Sequence, residues 1–110
     1  MLYDSVLDAI GNTPTVRLDL PGSDDVEVYA KLEFQNLFAM KDRVARNIIG
    51  QARARGELRP GEPIIESSSG TMALGVALVG RALGHPVHIV TDPRIDRITL
   101  AKLDALGCNV

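Results

Sequence analysis

Apolar residues at Leu2, Val6, Leu7 and Ile10 recur at a helical period, and Gly11-Asn12 stops the run, so a short helix is expected over 2–10. Thr13-Pro14 then opens Thr15-Val16-Arg17-Leu18, which alternates polar and apolar as a strand does, and Pro21-Gly22-Ser23-Asp24-Asp25 reads as a turn. Alternation returns from Val26 to Glu33. Val26, Val28, Ala30 and Leu32 share one face of that second strand, and Glu27, Tyr29, Lys31 and Glu33 the other. The clearest amphipathic helix runs from Asp42 to Arg55. Its expected apolar stripe is Val44, Ile48, Ile49 and Ala52, and Arg43, Arg46, Asn47, Gln51, Arg53 and Arg55 make its solvated side.

Beyond the Pro60-Gly61 turn, Pro63-Ile64-Ile65-Glu66 reads as a short strand, Ser67-Ser68-Ser69-Gly70 as a hydroxyl-rich junction, and Thr71 to Leu83 as a helix apolar on nearly all sides. A helix of that kind belongs in the interior. Val87 to Val90 is a strand, Ile95 to Leu106 a helix ended by Gly107, and Cys108-Asn109-Val110 the start of another strand. Two successive strand–helix–strand units imply the α/β class: a three-layer arrangement in which a parallel sheet carries helices on both faces. With about three long helices, part of the sheet should stay uncovered.

The chain has 110 residues, 45% apolar and 24% charged, which suits one packed domain and excludes a disordered or fibrous segment. Twelve basic against 14 acidic residues leave a net charge of −2, so no overall field draws it to nucleic acid or an anionic membrane. The longest apolar run, Met72 to Gly80, stops at Arg81, too short to span a bilayer. One cysteine, Cys108, and a start without a signal-peptide pattern point to the cytoplasm.

Lysine is scarce, with only Lys31, Lys41 and Lys102, and this narrows any search for a reactive amine, because a guanidinium stays protonated. Lys41 follows the apolar Leu37-Phe38-Ala39-Met40 at the entry to a helix. Partial desolvation and the positive helix terminus both favour a neutral amine suited to imine formation with an aldehyde. The plain alternative is a lysine snorkelling off a helix start. The junction Ser67-Ser68-Ser69-Gly70-Thr71 joins a strand's carboxyl end to a helix's amino end, where free N–H groups favour an anion; the alternative is an N-cap with spare serines. No Walker loop or Gly-x-Gly-x-x-Gly occurs. His85 and His88 read as strand-edge residues rather than metal ligands, and Cys108 as a buried strand residue rather than a nucleophile.

Four segments, taken in order, resemble the signature segments of the cysteine synthase and cystathionine β-synthase family, the fold-type-II enzymes dependent on pyridoxal 5′-phosphate, and a fifth looks like that family's Ala-Leu-Gly-Ala step into its next strand. They are Ile10-Gly11-Asn12-Thr13-Pro14-Thr15-Val16-Arg17-Leu18, Lys31-Leu32-Glu33 with Asn36, Lys41-Asp42-Arg43, Glu66-Ser67-Ser68-Ser69-Gly70-Thr71, and Ala105-Leu106-Gly107-Cys108. The resemblance implies that Lys41 carries the cofactor in Schiff-base linkage and moves the substrate's α-proton. It implies that Ser68, Ser69, Gly70, Thr71 and Met72 form the loop gripping the substrate's α-carboxylate. Thr71 stands where the family has an asparagine that hydrogen-bonds the cofactor's 3′-oxygen, and Met72 where it has a threonine, so one hydroxyl is lost. The family's Asn-Pro-x-x-Ser-x-Lys segment is shortened here to Asn36-Leu37-Phe38-Ala39-Met40-Lys41.

The implied activity is β-replacement or β-elimination on a small amino acid such as serine, O-acetylserine or cysteine, and these departures tilt it towards elimination. Residues 1–110 would then be the amino-terminal part of a two-lobed catalytic domain, homodimeric in the full-length parent. The family's phosphate-binding loop would follow Val110. A truncated, non-catalytic α/β module or interaction subunit is the competing expectation.

Overall fold

Ser5 takes an extended conformation and its hydroxyl accepts the Leu7 N–H at 3.2 Å, so helix α1 (Val6–Ala9) starts later than the apolar spacing predicts. The structure, a computed structural model, describes residues 2–22 and 25–110; Ser23 and Asp24 of the expected turn lie outside the described residues. Strands β1 (Thr15–Leu18) and β2 (Val28–Lys31) pair antiparallel, from Thr15 opposite Lys31 to Leu18 opposite Val28. A 3-10 turn over Glu33–Gln35 follows, then helix α2 (Lys41–Ala54), strand β3 (Ile64–Ser67), helix α3 (Thr71–Ala82), strand β4 (Val87–Val90) and helix α4 (Arg97–Ala105).

The α/β class holds, with a smaller parallel sheet than two strand–helix–strand units suggest. Strands β3 and β4 run parallel, Ile64 opposite Val87 through Ser67 opposite Val90, with α3 as the crossover. Asn109 adds the expected beginning of a third parallel strand, exchanging hydrogen bonds with the Val87 carbonyl at 3.0 Å and the Ile89 N–H at 2.8 Å. Strand β2, however, belongs to the β1 hairpin and not to this sheet. The short link between Leu18 and Val28 permits an antiparallel return, whereas a parallel partner needs a longer crossover.

Helix α3 is the interior element: every residue from Ala73 to Gly80 is buried. It packs on α2, α4, β3 and β4, and the core adds Leu7, Ile10, Ala45, Ile49, Val87, Ile89 and Leu103. The expected stripe of α2 is displaced. Val44 and Ile48 are 38% and 54% exposed, and Asp42, Ala45 and Ile49 are the buried residues of the helix. Small residues let the two backbones approach closely, which favours the Ala45 side over the bulkier Val44 side. As expected, part of the sheet stays uncovered, with Ile65 and Val90 exposed. Among the described residues no helix is long and apolar enough to cross a membrane.

The arginines of α2 are not simply solvated, which corrects the sequence reading. Arg43 donates to the Gly11 carbonyl at 2.9 Å, to Thr13 Oγ1 at 2.8 Å and to the Glu33 carboxylate through Nε at 2.9 Å. Asn36 completes the knot, accepting the Gly11 N–H at 3.1 Å and donating to Glu33. Arg46 donates to the Ile10 carbonyl at 2.8 Å and Arg53 to the Leu83 carbonyl at 2.9 Å. His85 is likewise no strand-edge residue. It is fully buried before β4, its Nδ1 2.9 Å from the Glu62 carbonyl and its Nε2 3.4 Å from Arg53. His88 sits half-buried within β4, accepting from the Asn109 amide at 3.0 Å.

The hydrogen bonds from Arg43, followed by that from Asn36, hold the Glu33 carboxyl below its ordinary value of 4.5, against desolvation acting the other way. A carboxyl with a lowered folded value stabilises the fold fully above the ordinary value and loses that contribution as pH falls through the lowered one. The melting temperature is therefore expected to drop on acidification from neutral to about pH 3, with part of the drop absent in Glu33→Gln. Identical acid limbs in the two proteins would contradict this assignment.

Candidate active site

Lys41 is the first residue of α2, and the turn before it is closed from both sides. The Asp42 N–H donates to the Ala39 carbonyl at 3.1 Å, the Arg43 N–H to the Met40 carbonyl at 3.3 Å, and the Asp42 carboxylate accepts the Phe38 N–H at 2.8 Å. Asp42 is fully buried, and its Oδ1 has no hydrogen-bond partner among the described residues. Phe38 packs against the core while Leu37 and Met40 are exposed, and Lys41 is half-buried.

The three lysines differ in their commitments. Lys31 is exposed and donates to the Thr13 carbonyl. Lys102 is exposed and holds its ammonium 5.7 Å from the centre of the Phe38 ring, a cation–π distance. Among the described residues none forms a hydrogen bond or ion pair with the Lys41 ammonium. Lys41 alone combines partial burial with an uncommitted amine.

The serine loop lies where β3 hands over to α3. The Ser68 N–H donates to the Val90 carbonyl at 3.0 Å, and the Ser68 hydroxyl accepts the Gly70 N–H at 3.2 Å. The N-cap of α3 is Gly70, with no side-chain cap hydrogen bond, so the serines do not cap the helix as the alternative reading has it. The first-turn N–H groups are left free of a side-chain partner, as an anion site requires. Ser69 and Thr71 are exposed, whereas Met72 is half-buried against the core. Ser67, Ser68 and Ser69 line a cleft of about 400 Å³ with Val90, Thr91 and Asp92, at the carboxyl ends of the two parallel strands.

The structure ties Lys41 and this loop to one helix. The Lys41 backbone rests on Gly75, one turn beyond Thr71 in α3. Another groove, of about 410 Å³, runs past Ile10, Gly11, Arg43, Arg46 and Asn47 and touches none of the expected site residues. Cys108 is half-buried, and burial pushes its thiol up, away from a nucleophile's range. Among the described residues no group of three or more His, Cys, Asp or Glu side chains is placed to hold a metal ion. Sequence reasoning missed Asp42 and Gly75. A glycine inside a helical pattern was the available sign, since it lowers helix propensity and often marks close packing.

Comparison with known proteins adds a family. The N-(2-amino-2-carboxyethyl)-L-glutamate synthase of Ralstonia nicotianae is 42% identical over 112 residues, an overlap taking in 100% of this chain and 33% of that protein. A putative mitochondrial cysteine synthase of Saccharomyces cerevisiae is 41% identical across 97% of this chain and 28% of its own length. The crystal structure of O-acetyl serine sulfhydrylase isoform 3 from Entamoeba histolytica superposes with a TM-score of 0.89 at 36% identity, covering 99% of this chain and 34% of that one. The chain thus spans about a third of the length of the relatives it matches. The fold is that of the fold-type-II enzymes, and the resemblance carried by the ordered segments holds. Residues 6–110 match the family described as pyridoxal-phosphate dependent enzyme, and to that family this chain belongs.

Proposed function

We propose that the protein carries out β-replacement or β-elimination on a small amino acid, serine, O-acetylserine or cysteine, with Lys41 as its cofactor-bearing base. The observation that carries this reading is the pairing of one uncommitted, half-buried amine with an uncapped helix start, both anchored on α3. These residues fit pyridoxal phosphate and its substrate: a free amine for an aldehyde, and free N–H groups for a carboxylate. When bound, the cofactor draws electrons from the substrate's α-carbon.

In this reading Lys41 holds the cofactor by its aldehyde carbon and moves the proton at the substrate's α-carbon. The Thr71 hydroxyl donates to the cofactor's 3′-oxygen. The first-turn N–H groups of α3, with Ser68 and Ser69, take the α-carboxylate. Gly70 leaves the approach open, since a Cβ there would meet nothing within 4 Å. Met72, turned to the core, gives the carboxylate one polar contact fewer than a threonine would. The reading carries with it a homodimeric full-length protein in the cytoplasm.

The test supplies the full-length protein, loaded with pyridoxal phosphate, with each of the three amino acids in turn, with and without sulfide. Mass spectrometry is expected to show loss of the β-substituent from at least one. Pyruvate and ammonia would mark elimination, and a new β-substituted amino acid replacement. Three unchanged amino acids would overturn the proposal and favour a non-catalytic module.

A further inference from the structure

We infer that Gly75 is a positioning residue for Lys41, a role that rests on the lysine reading above. A Cβ built on Gly75 would lie 3.0 Å from the Lys41 carbonyl oxygen, 3.2 Å from its carbonyl carbon and 3.3 Å from the Asp42 nitrogen. All three atoms are backbone, so no flexible side chain can swing aside to relieve the contact. Nor is the Lys41 turn free to drift. It is fastened by the Asp42 N–H to the Ala39 carbonyl, by the Asp42 carboxylate to the Phe38 N–H, and by the burial of Ala45 one turn further on. Added bulk at position 75 therefore pushes the first turn of α2 off α3.

The direction of that push matters. The serine loop runs into α3 itself, so it keeps its place when α2 moves. Lys41 alone is displaced relative to the carboxylate grip. Catalytic groups lose up to about a hundredfold in rate for a misplacement on the order of 1 Å. A shift of a few tenths of that distance is expected to lower kcat about tenfold while the amino-acid KM stays within about twofold.

Gly80 supplies the control. A Cβ there would meet Val87 Cγ2 at 2.7 Å and Ile64 Cδ1 at 3.2 Å, a closer contact on the same helix but against side chains of the sheet rather than the Lys41 backbone. Gly75→Ala and Gly80→Ala are compared in the full-length protein by melting temperature, by kcat and KM, and by the fraction of Lys41 modified after borohydride reduction, mapped by mass. Both variants are expected to melt lower. Only Gly75→Ala should lose kcat and Lys41 trapping. Asp42→Asn, which keeps the shape of the turn and weakens its hold on the Phe38 N–H, should reproduce the kcat loss at about threefold if Gly75→Ala is too unstable to purify. Wild-type trapping on Lys41 with Gly75→Ala matching Gly80→Ala would overturn the inference alone, as would an unaltered kcat in Asp42→Asn. Wild-type trapping on another residue would overturn the lysine reading and the inference with it.

Discussion

Lys41→Ala is expected to lower kcat with the preferred amino acid by about a hundredfold to ten-thousandfold, the range a positioned acid–base group supplies. Lys31→Ala and Lys102→Ala should stay within about twofold, because exposed lysine contacts contribute little. The difference rests on geometry. The Lys31 ammonium is engaged by the Thr13 carbonyl, the Lys102 ammonium lies over Phe38, and only Lys41 is half-buried with no partner among the described residues. Steady-state kinetics on the three variants decides the matter, and equal losses from all three would remove Lys41 from its assigned role. Should a carboxylate ligand still raise the melting temperature of Lys41→Ala, the serine loop binds its anion independently of the amine.

Arg43→Ala should carry the largest stability penalty outside the apolar core, about 3 kcal/mol, from three hydrogen-bonded partners at about 1 kcal/mol each. The guanidinium joins the Gly11 carbonyl, Thr13 Oγ1 and the Glu33 carboxylate, and so binds the residues after α1 and the 3-10 turn to the start of α2. The Glu33 hydrogen bond is also an ion pair, about a third exposed on either side, at 32% and 31%, so solvent screens its charge and it is counted once. Arg43→Lys should recover less than half of the loss, since a single ammonium cannot reproduce the planar fork. Denaturant unfolding measures both. A loss below about 1 kcal/mol in Arg43→Ala, or full recovery in Arg43→Lys, would contradict the network.

Helix α3 was legible because it is apolar all round, and a helix with no wet face has nowhere to go but the interior. The serine loop was legible as the junction of a parallel strand and a helix because hydroxyls and a glycine fall between the two patterns, and parallel strands put their ligands at such junctions. The facing side of α2 was not. Periodicity gives the width of an apolar stripe, but its phase depends on the partner, and here the small residues Ala45 and Gly75 allow a close approach that leaves Val44 and Ile48 outside.

The antiparallel pairing of β1 with β2 was equally hidden, since alternation marks a strand without giving its direction. Arg43 reads as solvated on a helical wheel because its partners lie 32, 30 and 10 residues away in the chain. Asp42 shows the same limit. A carboxylate next to a lysine suggests a surface pair, and burial became visible only once its oxygen was seen to accept the Phe38 N–H.

The most direct measurement is borohydride reduction of the full-length protein saturated with pyridoxal phosphate, followed by digestion and mass mapping. Reduced cofactor on the peptide containing Lys41, near one per chain and absent from the peptides with Lys31 and Lys102, is the result this account predicts. Reduced cofactor on another residue, or on none, would contradict it.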